Sequence, residues 1–215
     1  MPETNVELFG YKFSVYTRIV RIVLQEKGIA FDAQEINPFA VDLLDNYLDI
    51  HPFKRVPAIR HGNFTLYETS AITQYLDAAF DGSSLQPGTA RERARMHQVI
   101  GITDSYGYQP LVRKVFSQKV FGPAFGDPTN ENIVVEGLTE SDRILSALEK
   151  LLSEDGYISA TTYSLADVHV IPMIDYFLMA PEGAAMFSRY PKLSRWWNSV
   201  KERPSTVFTR PSLPC

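Results

Sequence analysis

Residues 53–75 read FKRVPAIRHGNFTLYETSAITQY, and their punctuation predicts two strands, a turn and a helix. Pro57-Ala58-Ile59 reads as a short strand, His61-Gly62-Asn63 as a tight turn, Phe64 to Tyr67 as a second strand, and a helix opens at Glu68-Thr69-Ser70. Gly62-Asn63 supplies residues that tolerate positive φ between two runs of strand formers, so the strands are expected to form a hairpin. Pro57 breaks the pattern, because proline has no N–H to give to a ladder. Val56-Pro57 therefore marks a sheet edge or a deliberate bend, and a cis bond is one form such a bend takes. In that form Val56 would turn its backbone N–H and C=O outward, where a short extended peptide can pair with them as an extra strand.

The polar residues around this stretch sketch a ligand. The amides and hydroxyls of Thr69 and Ser70 at a helix start suit a carboxylate, and Glu68 beside them suits an amine. Lys54 and Arg55 offer a second anion site on the other side of Val56-Pro57. Together they fit a short peptide with one amine and two carboxylates. The competing reading is structural: a plain hairpin, followed by hydroxyls that cap a helix.

Working outward, Val6 to Phe9 is a short buried strand closed by Gly10, and Val15 to Lys27 carries apolar residues at helical spacing with Gly28 at its end. Ile29 to Ile36 is a second strand with Phe31 and Ala33 alternating with polar residues, and a right-handed crossover makes the pair parallel. A connection over residues 37–52, helical from Val41 to Tyr47, completes the order βαβαββα, which ends near Phe80. That order is the α/β thioredoxin-like arrangement.

Asp81 to Gly88 is a linker by composition, and residues 89–215 are helical in pattern. One long helix runs from Thr89 to about Ser117 with a kink or break expected near Tyr106 to Pro110. Gly122 to Asn132 is a loop, and a helix resumes from Ile133 to Leu152. Tyr163-Ser164-Leu165-Ala166-Asp167-Val168 is a capping box, with Tyr163 packing on Val168 as its staple, at the head of a buried central helix. The expected organisation is a thioredoxin-like domain over residues 1–80, a linker over 81–88 and an all-helical domain over 89–215.

The 215 residues are 45% hydrophobic, enough to bury a full core, and the net charge of −4 with mixed signs gives no reason to expect nucleic acid or an anionic membrane as partner. No apolar run is long enough to span a bilayer and the first residues do not read as a signal peptide, so a cytoplasmic location is expected. The single cysteine, Cys215, excludes an internal disulfide and Cys-x-x-Cys chemistry, and four scattered histidines suggest no metal site.

Arg-Val-Pro-Ala-Ile followed by Tyr-Glu-Thr-Ser-Ala-Ile resembles the glutathione-binding half of the glutathione S-transferases, with Thr69 where that family usually has serine. The Ser164 to Asp167 box and the terminal Pro-x-Leu-x-x-Trp-Trp pattern with Arg203-Pro204 are similar to the same family, so the resemblance runs from Leu8 to Pro204. It implies glutathione as co-substrate, with no metal, held by Lys54, Arg55, Val56, Pro57, Glu68, Thr69 and Ser70. It also implies a homodimer, in which Asp104 would reach the neighbour's glutathione amine.

Phe13-Ser14-Val15-Tyr16-Thr17-Arg18 resembles the Ser-Pro-Tyr-x-Arg start of theta-like, phi-like and bacterial serine-type members, with Val15 in place of proline. A thiol of pKa about 8.5 is only a few per cent ionised at neutral pH, and a hydroxyl at a helix N-terminus stabilises the anion. Ser14 is accordingly the expected sulfur ligand. A plain N-cap role for Ser14 and a donor role for Tyr16 are the competing readings. A hydrolase is excluded by the missing Gly-x-Ser-x-Gly elbow, and a cysteine-type transferase or glutaredoxin by the missing cysteine. The electrophile is expected against Tyr11, Phe13 and Phe39 from the first domain, and Tyr106, Tyr108, Arg113 and Phe116 along the kinked helix. The implied activity is conjugation of the glutathione thiolate to hydrophobic electrophiles. The alternatives are a non-catalytic binding module of this fold and a glutathione-dependent isomerase or dehalogenase.

Overall fold

The computed structural model describes residues 5–40, 46–152 and 156–214. The chain divides into two compact units: one runs through Ser84 and takes in Phe208–Pro211, and the other begins at Leu85 and runs to Val207.

The first unit carries a four-stranded sheet in the order β2-β1-β3-β4. Its elements are β1 Val6–Gly10, α1 Val15–Glu26, β2 Phe31–Glu35, α2 Tyr47–Ile50, β3 Ala58–His61, β4 Phe64–Tyr67 and α3 Thr69–Ala79. This is the thioredoxin-like arrangement: β1 pairs in parallel with β2, antiparallel with β3, and β3 antiparallel with β4. Gly62 alone of the two loop residues takes positive φ, at 61°. Val6, Leu8, Ala58 and Ile59 are buried, as inner strands covered on both faces require. The outer β2 differs from its expected alternation: Phe31 is half-buried, while Ala33 is exposed with its neighbours. The helical connection expected from Val41 falls mostly on residues 41–45, outside those described, and α2 begins only at Tyr47.

Pro57 lies one residue before β3, so an inner strand accommodates it without losing a ladder bond. The Val56-Pro57 bond is cis. Beyond the sheet, Lys27 at the end of α1 pairs with Asp77 of α3 at 3.4 Å, and Arg18 Nε donates to Thr209 Oγ1 at 3.3 Å, tying the returning segment to α1.

The second unit is helical. α4 Ala90–Ile102 starts at a capping box formed by Thr89 and Glu92. The chain does not break at Pro110: it continues as a π-helix over Thr103–Phe121, and the N–H of Gly122 donates to the carbonyl of Ser117, five residues back. The change of register begins at Thr103, earlier than the expected kink. α5 Gly122–Ala124 closes that segment, and α6 Glu131–Leu151, capped by Asn130, follows two residues earlier than expected. Then come α7 Leu165–Met179, α8 Pro181–Phe187, α9 Pro191–Val200 and α10 Pro204–Phe208.

The Ser164 to Asp167 capping box forms at the head of α7 and does more than cap. Asp167 is fully buried, and it accepts from Ser164 N–H at 2.9 Å, Ile158 N–H at 3.2 Å and Trp196 Nε1 at 2.8 Å. One carboxylate thus joins α7, the loop before it and α9. Burial pushes its pKa up, and the donors from Trp196, Ile158 and Ser164 oppose that rise. The ring of Tyr163, expected against Val168, carries the guanidinium of Arg203 at 3.9 Å. Asp167→Ala leaves several buried donors without acceptors, and is expected to cost about 3 kcal/mol in a urea titration of the intact chain.

Candidate functional site at one end of the sheet

The register decides what meets what. Phe9 of β1 stands opposite Ala58 of β3, and Ala58 opposite Tyr67 of β4. The chain leaving β1 toward Ser14, the Arg55-Val56-Pro57 approach to β3 and the Glu68-Thr69 exit from β4 therefore share one end of the sheet. The residues expected from sequence to hold the peptide and its sulfur are brought together by strand pairing alone.

The first of these stretches is tied down bond by bond. Ser14 N–H donates to the carbonyl of Tyr11 at 2.9 Å, Tyr11 N–H to Thr17 Oγ1 at 3.2 Å, and Lys12 N–H to Glu35 Oε1 at 3.1 Å. Gly10 is required here, because a Cβ on it would come within 2.3 Å of the Thr17 methyl. Ser14 is the N-cap of α1 and its Oγ accepts from Thr17 N–H at 3.2 Å. That bond engages a lone pair and leaves the hydroxyl proton for an outside acceptor, so capping and holding a sulfur anion are compatible. Tyr16 lies in the first turn of α1 and is half-buried.

In the second stretch Lys54 and Arg55 are exposed, Val56 is half-buried and Pro57 is buried. Val56 packs on a core cluster of Phe9, Ile36, Tyr47 and Ala58. The Tyr47 hydroxyl donates to the carbonyl of Arg55 at 2.6 Å, fixing this stretch from below. Burial pushes the Tyr47 pKa up to about 12. In the third stretch Glu68 is exposed and occupies the N-cap position of α3 with φ 72° and ψ 115°, without a side-chain capping bond. Thr69 is buried and Ser70 half-buried in the first turn.

Known proteins match the chain over most of its length. A family model described as the glutathione S-transferase N-terminal domain matches residues 8–84, and one described as the C-terminal domain matches residues 112–204. Glutathione S-transferase F6 of Arabidopsis thaliana is 31% identical over 209 residues, covering 94% of this chain and 97% of the relative. The chain belongs to the glutathione S-transferase family. Among solved structures, apo glutathione S-transferase III shares the fold with a TM-score of 0.85, 98% coverage of both chains and 23% identity. Glutathione S-transferase-I bound with lactoylglutathione shares it with a TM-score of 0.83, 97% and 98% coverage and 24% identity.

Other expected site residues of this family member fall into distinct surroundings. Tyr11 packs edge-on against Phe13 at 5.4 Å and against Phe39 at 6.2 Å, with Lys12 Nζ 4.9 Å over the Phe13 ring. Phe39 is 67% exposed, so this trio presents an apolar surface rather than filling a core. Burial and the nearby Glu35 raise the Tyr11 pKa. In the helical unit Tyr106 and Arg113 are exposed and Tyr108 is half-buried. Phe116 does not join them: it is buried and stacked on Tyr176 at 4.5 Å, so it serves the core of that unit. Asp104, half-buried, stands 3.5 Å from Nδ1 of the buried His169. Among the described residues no group of three or more His, Cys, Asp or Glu is placed to hold a metal, and no helix is long and apolar enough to cross a membrane.

Sequence reading missed the roles of Tyr47, Thr17 and Glu35, whose side chains fix the site at positions no motif specifies. A hydroxyl eight residues before its own partner carries no periodic signal. Tyr47→Phe is expected to cost about 1 kcal/mol in a urea titration. A raised tyrosine pKa means the contribution is complete below the unfolded value near 10 and is lost as pH rises through the folded value of about 12. The loss should therefore be the same at neutral pH and at about pH 9.

Proposed function

We propose that the protein conjugates the thiolate of glutathione to hydrophobic electrophiles, with Ser14 donating a hydrogen bond to the sulfur. The observation that carries this reading is the convergence of Ser14, Val56-Pro57 and Glu68-Thr69 at one end of the sheet through the Phe9, Ala58 and Tyr67 pairing. A γ-glutamyl group would place its carboxylate on the first-turn amides and hydroxyls of Thr69 and Ser70, and its ammonium on Glu68. The cysteinyl backbone would pair with Val56, and the glycyl carboxylate would meet Lys54 and Arg55. The sulfur would then lie at the start of α1, where the helix dipole and the Ser14 hydroxyl favour the anion. The described structure of glutathione S-transferase-I with lactoylglutathione supports a glutathione derivative as the occupant of this fold.

In the reaction the bound thiol loses its proton to solvent, the thiolate attacks an electrophilic carbon, and a carbon–sulfur bond forms as the leaving group departs or the carbanion is protonated. The rate gain comes from proximity and from the larger thiolate fraction at neutral pH, with no general base required. Tyr11, Phe13 and Phe39 give the electrophile an apolar surface on the first unit.

Ser14→Ala is expected to lower kcat with an activated aryl halide about tenfold or more, with little change in glutathione affinity. The ultraviolet thiolate band formed when glutathione binds should fade in the variant, and the pH at which the rate rises should move toward about 8.5, the value of a free thiol. An unchanged rate and band would pass the role to Tyr16 or to backbone amides. Saturable binding with no band in the native protein would favour a non-catalytic binding module.

A further inference from the structure

One buried polar side chain next to the proposed peptide site leaves a ring nitrogen without a hydrogen-bond partner. His51 is 3% exposed and its Nδ1 is unpaired. An imidazole filling a core could be replaced by an apolar ring without an orphaned nitrogen, so its presence asks for another reason. Its backbone shows where it acts: the N–H donates to the carbonyl of Tyr47 at 2.9 Å, and the carbonyl accepts from Lys54 N–H at 3.0 Å. His51 thereby closes the turn that delivers Lys54 and Arg55. Its ring lies on Tyr67 at 4.8 Å and 31°, one residue before Glu68, and edge-on to Phe53 at 6.2 Å. A single side chain therefore connects the anion-binding turn to the corner that carries the carboxylate.

We propose that His51 is a positioning residue for glutathione, holding the Lys54-Arg55 turn against the Tyr67-Glu68 corner and, when protonated, competing with the ligand's ammonium for Glu68. This role rests on the glutathione-binding reading above. Four influences act on the ring: burial holds its pKa below the ordinary histidine value, Glu68 pulls it up, Arg55 pushes it down, and contact with its own backbone pulls it up slightly. Phe53 and Tyr67 contact it through their rings, and the nearby Tyr47 hydroxyl is engaged by the carbonyl of Arg55. Of the two charges Glu68 acts the more strongly, so protonated His51 draws on the carboxylate that the peptide amine needs. By linkage, glutathione bound at Glu68 must lower the pKa of His51 further.

The test is calorimetric titration of the full chain with glutathione between about pH 5 and pH 7.5, a window in which histidine is the side chain whose ordinary pKa lies inside it. Native protein should lose roughly fivefold in affinity on acidification, and His51→Phe, which keeps a ring against Tyr67, should show a flat profile. His51→Gln should likewise be flat, with a weaker Kd throughout because the ring contact is gone. The titration of the His51 ring protons in native protein, with and without glutathione, reads the same coupling should neither variant fold. A pKa lowered by glutathione supports the role, and one unchanged or raised overturns it. A native profile that is flat, or one that both variants reproduce, also overturns it while leaving glutathione binding intact. Failure of native protein to bind glutathione at any pH would overturn the proposed function and this role together.

Discussion

The site depends on one constraint, the register of β3 against β1. Side chains alternate across a strand, so a slip of one residue would turn Ala58 and Ile59 to opposite faces and carry the Arg55-Val56-Pro57 approach away from the loop that leaves β1. With Phe9 opposite Ala58 and Leu8 opposite Ile59, those four residues are buried, which a slipped pairing could not achieve. Glu7 and Arg60 stand opposite each other in the same register and pair at 3.0 Å. Both are partly exposed, so the pair adds little stability; its effect is to favour this register over its neighbours.

The register sets the ends of the strands, but the loops between them need separate fastening. The loop after β1 is held by Thr17 and Glu35, which come from the following helix and the neighbouring strand. The Arg55 stretch is held from inside the core by Tyr47. Thr17 and Tyr47, buried for packing reasons, also supply a polar atom to backbone that no strand or helix can satisfy, and the exposed Glu35 supplies another. A buried hydroxyl needs a partner, and loop backbone needs donors, so each requirement answers the other. The same logic governs the helical unit, where Asp167 satisfies amides of its own cap and the indole of Trp196 together.

What the sequence made legible follows from how local each signal is. The hairpin was readable because Gly62 and the strand formers around it act within a few residues, and the Ser164 to Asp167 box because a cap acts over one turn. The indole of Trp196, 29 residues from Asp167, leaves no mark at that distance. Pro110 was misleading for a related reason. Proline signals a lost N–H, but whether a helix breaks or widens depends on what packs around it, and here the π-helix carries the chain through. Phe116 fails as a pocket residue because an aromatic at helical spacing reads the same whether it faces a ligand or Tyr176. The residues proposed to hold the sulfur and the peptide were singled out through a shared motif, whereas the residues that fix their backbone were not.

Backbone geometry adds an argument independent of motif. Lys54 has φ 54° and Glu68 has φ 72°, in a region that glycine or asparagine enters far more readily than a longer side chain does. Each such conformation costs on the order of 1 kcal/mol or more relative to an ordinary one. If only the turn mattered, glycine would relieve that cost at both positions, as Gly62 does in the hairpin. Glycine would also remove a cation from one side of Val56-Pro57 and a carboxylate from the other. Both residues are exposed, so neither side chain offsets the cost by burial. Their opposite signs on the two sides of Val56-Pro57 fit the proposed ligand, which carries an anion at one end and an ammonium at the other.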